Sequence, residues 1–206
     1  MPSDLQVTNI KANDGTAGIS IANSSGNVSL SGTLSSGTIG SSVTGFGLLT
    51  DADQWRLTTN FTTQGVITGA HVERNNTVFE KIGTGVSYDS STGVFTFPNT
   101  GIWWVVSGAV LDSNSGAENY GGIATLVSTT GVSGTFTQRA YAYNGLHATS
   151  SFGSTFSSLI LDVNSITSST AVAVQFRIDT QSTDVRLRGS ATVNLTHFTF
   201  IRLGDT

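Results

Sequence analysis

Turn-forming clusters interrupt this sequence at about ten-residue intervals. No window between them sustains the apolar spacing of three and four residues that a helix needs. Ser91-Thr92-Gly93, Pro98-Asn99-Thr100-Gly101, Asn114-Ser115-Gly116 and Asn144-Gly145 are the clearest of these clusters. Strong helix formers are scarce, and glycine breaks every helical candidate. Such a rhythm suits short antiparallel strands, so the chain reads as an all-β sandwich or barrel. Strands are predicted over 70–73, 78–81, 86–88, 94–97, 102–111, 122–128, 135–143, 151–162, 171–179 and 191–203. The two prolines, Pro2 and Pro98, fall outside strand interiors, as a ladder requires.

Only 11% of the 206 residues are charged, far below the usual quarter. Low charge can mean disorder, but 11 Phe, 4 Tyr and 3 Trp supply a real core. Cysteine is absent, which excludes a disulfide-held scaffold and a thiolate metal site. The net charge is −4 and the basic residues are scattered, so no nucleic-acid partner is expected. No apolar run is long enough to cross a membrane as a helix. The start Met1-Pro2-Ser3-Asp4 carries no basic region followed by an apolar core, so no secretory signal is expected. Lysine is nearly absent, and a surface of Ser, Thr, Asn and Gly suits an extracellular or particle-borne assembly better than a dispersed monomer.

Residues 1–62 are expected to form a stem or docking arm, and residues 63–206 a head. In the first part Val7, Ile10, Ile19, Ile21, Val28, Leu30, Leu34, Ile39 and Val43 are separated by Asn13-Asp14-Gly15, Asn23-Ser24-Ser25-Gly26, Ser31-Gly32 and Ser36-Gly37. These read as turns between very short strands. Ile10, Ile19 and Val28 hint at a repeat. Alone, so small an apolar content does not offset the entropy of ordering. The segment is therefore either a floppy arm or a stem wound against copies of itself or another protein. Gly45-Phe46-Gly47 and Asp51-Ala52-Asp53 look like a junction, and stronger strands begin over 54–67.

Within 86–110 the chain reads VSYDSSTGVFTFPNTGIWWVVSGAV. Adjacent strand residues point to opposite faces. One face is Ile102, Trp104, Val106, Gly108 and Val110; the other is Trp103, Val105, Ser107, Ala109 and Leu111. Both are largely apolar, whereas a half-solvated antiparallel strand alternates. One face requires a core and the other requires a second cover, most simply another subunit. In the last predicted strand Val193 and Leu195 alternate with polar residues, but Phe198 and Phe200 fall on the opposite parity. A bulge at Thr196-His197 would repair that slip.

Tyr88-Asp89, Thr92-Gly93, Phe95, Pro98, Gly101 and Trp103-Trp104 stand at a spacing that resembles the signature of complement subcomponent q heads and their tumour-necrosis-factor-like relatives. The chain departs from that pattern at Phe97, Thr100 and Val105, where many members have Cys, Pro and Phe. The resemblance covers about residues 66–206 and includes the C-terminal stretch ATVNLTHFTFIRLG. It implies an antiparallel jelly-roll sandwich assembled as a threefold homotrimer. On that basis Phe95, Phe97, Trp104, Val106, Phe198 and Phe200 are expected in the core. Trp103, Val105, Ala109 and Leu111 are expected at the trimer interface. The family's collagen-like stalk is missing. The N-terminal texture instead resembles stems of bacteriophage fibres and the N-terminal regions of phage structural proteins that carry such heads.

Chemistry-bearing constellations are few. His71, His147 and His197 are isolated, with no metal-binding spacing. No nucleophile elbow occurs. The acidic residues are scattered over loops, whereas a glycan-degrading enzyme needs paired carboxylates across a groove. Asp112, Asn114, Glu118 and Asn119 gather oxygen ligands in one stretch and form a candidate calcium loop; the plain alternative is a solvated hairpin. Arg177, Arg186 and Arg188 with Asp179 and Asp184 read as surface or inter-subunit ion pairs. Tyr141, Tyr143, Asn144 and His147 are candidate ligand-binding residues, suited to sugar stacking, or alternatively pack on a neighbouring subunit. No cofactor is expected. The resulting expectation is a non-enzymatic, trimeric fibre- or spike-type appendage, made in a host cytoplasm and displayed on the particle surface. It would bind other virion proteins through residues 1–62 and a host-surface glycan or protein through its head. A capsid decoration (cement) protein that stabilises the shell is the alternative.

Overall fold

The computed structural model describes residues 9–11, 17–21, 28–30, 49–76 and 79–206. The chain divides into two units, 1–46 and 47–206. In the first, strands β1 (Asn9–Lys11), β2 (Ala17–Ile21) and β3 (Val28–Leu30) form an antiparallel sheet in sequence order. Ile10 pairs with Ile19, and Ile19 with Leu30. The turns expected between these strands, Val7, Leu34, Ile39, Val43 and the Gly45-Phe46-Gly47 junction lie outside the described residues.

The second unit starts earlier than expected. Strand β4 (Ala52–Leu57) falls within the predicted arm, yet it belongs to the head. The remaining strands are β5 (Gly65–Val66), β6 (Val72–Arg74), β7 (Lys81–Ile82), β8 (Ser87–Asp89), β9 (Val94–Thr96), β10 (Gly101–Ser113), β11 (Glu118–Ser128), β12 (Thr137–Leu146), β13 (Phe152–Val163), β14 (Ala173–Thr180), β15 (Val185–Leu187) and β16 (His197–Gly204). No described residue is helical. Two antiparallel sheets result. One runs β13-β10-β16-β4-β6, with β15 on β10 and β7 on β4; the other runs β12-β11-β14-β9-β8, with β5 on β14. From β9 onward the chain crosses repeatedly between the sheets, which is the winding of a jelly roll.

The core is aromatic. Phe95 lies at its centre, with ring centroids 5.6 Å from Trp55, 5.5 Å from Phe176 and 5.2 Å from Phe200. Phe176 and Phe198 stack across the two sheets at 4.0 Å. The signature around residue 88 has a mechanical reason. Asp89 accepts from the Ser91 backbone N–H at 2.9 Å and from the Thr92 hydroxyl at 2.9 Å, which closes the β8–β9 hairpin. Tyr88 then packs on Phe95 at 4.7 Å.

The register settles the two faces of β10. Val105 pairs with Phe200 and Ser107 with Phe198. Paired residues share a face, so the inward phenylalanines of β16 carry the odd residues of β10 inward. Trp103, Val105, Ala109 and Leu111, expected at a subunit interface, are therefore interior. Trp103 is 0% exposed; it packs on Phe97 at 4.9 Å and its indole N–H donates to the Asn99 carbonyl at 3.2 Å. Trp104, expected in the core, points outward and is 38% exposed. Val106 shares that outward face, although it is buried there. Phe95, Phe97, Phe198 and Phe200 lie in the core.

Three other expectations change. The parity slip near Thr196 is not a bulge within a strand, because residues 189–196 are loop and β16 begins at His197. The register shift falls instead between Ile102 and Trp103, opposite Leu203. Asn144-Gly145 is not a turn but part of β12, where Asn144 pairs with Gly121.

Candidate functional site

With the interior assigned, each sheet keeps one outward face. On the first sheet, the register aligns Trp104 with Ile160, Gly108 with Phe156 and Asp112 with Phe152. Ile160, Phe156 and Phe152 are 68%, 60% and 66% exposed. β13, which carries them, is the edge strand of its sheet. An edge strand lined with large apolar groups invites association, even with Ser154 and Ser158 alternating with them on the same face.

At one end of this face lies an ion cluster. Asp112 is buried and accepts from Arg186 at 2.6 and 3.0 Å and from Arg188 at 2.8 Å. Burial alone would raise its pKa, but the bonds from Arg186 and Arg188 outweigh burial and hold it below the usual carboxylate range. Asn114 accepts from Arg186 at 3.3 Å, and Glu118 from the Ser182 hydroxyl at 2.7 Å. The candidate calcium ligands are thus already occupied. A cation at Asp112 would have to displace two guanidinium groups, so the loop does not fit calcium. Among the described residues no group of three His, Asp or Glu side chains is placed to hold a metal.

His197 also lies on the first sheet's face, paired with Gly108 and Arg56. A Cβ built on Gly108 would stand 2.4 Å from the imidazole Cε1, so glycine there makes room for the ring. Arg56 bonds Glu73 at 2.8 Å. Burial pushes the His197 pKa down, and its Nδ1 is enclosed without a hydrogen-bond partner.

The second sheet's outward face is chemically different. Tyr143 is flanked by Tyr120 at 5.3 Å and Tyr141 at 5.0 Å between ring centroids. Its hydroxyl donates to Asp179 Oδ2 at 2.7 Å. Arg177 meets the same oxygen at 3.3 Å and also bonds the Gln138 carboxamide. Burial, and then the bond to Asp179, push the Tyr143 pKa up to about 12, so the phenol stays a neutral donor. Tyr143 pairs with Gly122, and Gly122 with Asp179. A Cβ on Gly122 would stand 2.1 Å from the Ala142 carbonyl oxygen and 2.4 Å from a Tyr143 ring carbon. The ring can lie across the sheet only because residue 122 has no side chain.

Of the four candidate ligand residues, Tyr141 and Tyr143 come together on this face. Asn144 instead donates to the Ser154 carbonyl at 3.0 Å on β13, and His147 is exposed beyond the end of β12. Sequence reasoning missed Tyr120 as a member of the cluster. It left Phe152, Phe156 and Ile160 unassigned, although their alternation with Ser154 and Ser158 was visible.

No family model matches the chain, and no curated protein matches it. Solved structures do. The head is similar to Eiger TNF from S. frugiperda, with a TM-score of 0.55 and 10% identity over 75% of this chain and 93% of that one. It is also similar to murine APRIL at pH 5.0, with a TM-score of 0.51 and 11% identity over 74% of this chain and 98% of that one. The head has the tumour-necrosis-factor-like jelly-roll fold. At such low identity the likeness is one of fold, and activity has to be argued from sites.

Proposed function

We propose that the chain is a non-enzymatic structural and binding module that assembles as a threefold homotrimer. We place it on a bacteriophage particle as a fibre- or spike-type appendage that attaches to a host surface. The observation that carries the assembly is the apolar outward face formed by Phe152, Phe156 and Ile160 on the edge strand β13 and by Trp104 on the neighbouring β10. Full burial of such a side chain contributes about 1.5–3 kcal/mol; these are 38–68% exposed, so covering each contributes part of that, and the four together favour association. A patch that differs from the surface it meets generates a ring when the rotation closes. The particle setting is supported by the N-terminal resemblance to phage stems and by the low charge of the chain.

Light scattering on the full chain at micromolar concentration tests the assembly; the expected mass is three copies, and a monomer overturns it. Imaging of labelled particles tests the location. Loss of shell stability with normal host adsorption, on deleting the protein, would favour the cement role instead.

A further inference from the structure

We propose that the outward face of the β12-β11-β14 sheet is a platform for an uncharged sugar. A pyranose ring would lie on Tyr141 or Tyr143, with its hydroxyls meeting Asp179, Arg177 and Gln138. This deepens the attachment reading above and rests on it for biological setting, though not for chemistry.

Four features of this face point to a polyol. The first is segregation of side-chain types. In the strands of this sheet every exposed large hydrophobic residue is a tyrosine: Tyr120, Tyr141 and Tyr143. The strands of the other sheet expose Trp, Phe, Ile and Leu and no tyrosine. Phenol rings offer flat apolar area with little conformational entropy to lose, and aromatic faces carry negative charge that attracts the polarised C–H groups of a sugar ring.

The second is charge. At the centre, Asp179 is paired with Arg177, so a ligand there meets donors and acceptors in balance. The bonds from Tyr143 and Arg177 both fall on Asp179 Oδ2, which leaves Oδ1 to accept from a hydroxyl. A stable protein interface keeps its charged groups at the rim, whereas here they stand beside the central ring. The third is preorganisation. Tyr143 is held by Asp179, by two neighbouring rings and by the space over Gly122, and a fixed surface loses less on binding. The fourth is shape: a row of aromatic groups exposed on an open sheet face fits an extended glycan better than a buried small molecule, for which concave sites are usual.

Saturation-transfer NMR on the full chain tests the proposal. The probes are the methyl glycosides of glucose, galactose, N-acetylglucosamine and, as an anionic arm, N-acetylneuraminic acid. Arg139, exposed on β12 two residues from Tyr141, makes that last arm informative. The expected result is transfer to the ring C–H protons of at least one neutral glycoside. Binding should weaken about tenfold in Tyr141→Ser and in Tyr143→Phe, the latter losing only the bond to Asp179. It should be unchanged in His147→Ala. No transfer to any neutral probe, transfer only to the anionic one, or transfer unaffected by the tyrosine changes would each overturn it. So would a change in assembly mass in Tyr141→Ser, which would make the face a contact between copies or with another protein. Light scattering on the same samples separates the two readings. A wild-type trimer that ignores every sugar sinks the platform alone; a monomer that binds sugar sinks the assembly alone.

Discussion

The two outward faces of this sandwich come from the same alternation of residues and end in opposite chemistry. One presents Phe152, Phe156 and Ile160 along an edge strand with Trp104 on the strand beside it; the other presents three tyrosines around an ion pair. The first resembles a cut core, in which every exposed atom is better covered. The second is apolar in its rings and polar at their tips, so it can stay wet and still bind. A jelly roll needs only one face of each sheet for its interior. The comparison shows how the other two can be given separate tasks without altering the fold.

The sharpest way to break the comparison is at the tryptophan pair. Trp103→Ala should destabilise the head by about 3–5 kcal/mol, enough to unfold a marginal domain. Trp104→Ala should leave a folded head with a weakened assembly. Thermal melts and light scattering read the two outcomes, and equal loss of folding in both variants would erase the distinction between inside and outside. Next in size, Ile160→Glu should convert trimer to folded monomer, while Tyr141→Glu should leave the mass unchanged. If both changes, or neither, alter the mass, the division of labour between faces is wrong.

A smaller effect is expected with pH. His197 and His71 both have pKa values lowered by burial. The unfolded chain, with histidines near 6.5, then binds more protons than the native one as pH falls, so stability falls with it. The loss begins below about pH 6.5 and continues down through the native pKa values. Asp112, with its lowered pKa, adds a loss of the same sign only in the carboxylate range. His197→Gln should flatten the melting-temperature slope between neutral pH and that range, and a slope unchanged by the substitution would remove His197 from the account. The smallest effect on stability is expected from Tyr143→Phe, which removes one exposed hydrogen bond to Asp179 and should leave the assembly mass intact while weakening sugar binding. Gly122→Ala is not so mild, because its methyl would meet the Ala142 carbonyl oxygen at 2.1 Å as well as the Tyr143 ring; a melting temperature equal to that of the wild type would remove this clash from the account.

Much of the fold was legible in the sequence because turns and alternation are local. Eight of the ten predicted strands share at least half their length with an observed one; 78–81 shares only Lys81 with β7, and 191–203 holds β16 in its second half. What failed was what depends on partners. Ile102–Leu111 carries apolar residues on both parities, so nothing within the strand says which side is in. The decision is made by Phe198 and Phe200 almost a hundred residues later, through pairing. β4 was assigned to the arm because its partner, β16, is at the far end of the chain. Asn144-Gly145 reads as a turn, but pairing with β11 holds it extended. The candidate calcium loop looked free because its arginines are some seventy residues away. Of the tyrosine platform, Tyr141 and Tyr143 were recognisable from their spacing, while Tyr120, Arg177 and Asp179 arrive only through the sheet.

The exposed apolar row on β13 also sets a clock. Until a newly made chain meets its copies, Phe152, Phe156 and Ile160 stand on an open strand edge, the arrangement through which partly assembled β proteins stick to one another at random. Correct assembly is a bimolecular event whose speed rises with concentration. Slow, dilute synthesis should therefore leave unassembled copies exposed to proteolysis, while a rapid burst of synthesis should speed ring closure and random association together. In the proposed assembly, the yield of closed rings would depend on the timing of expression as well as on the stability of the finished head.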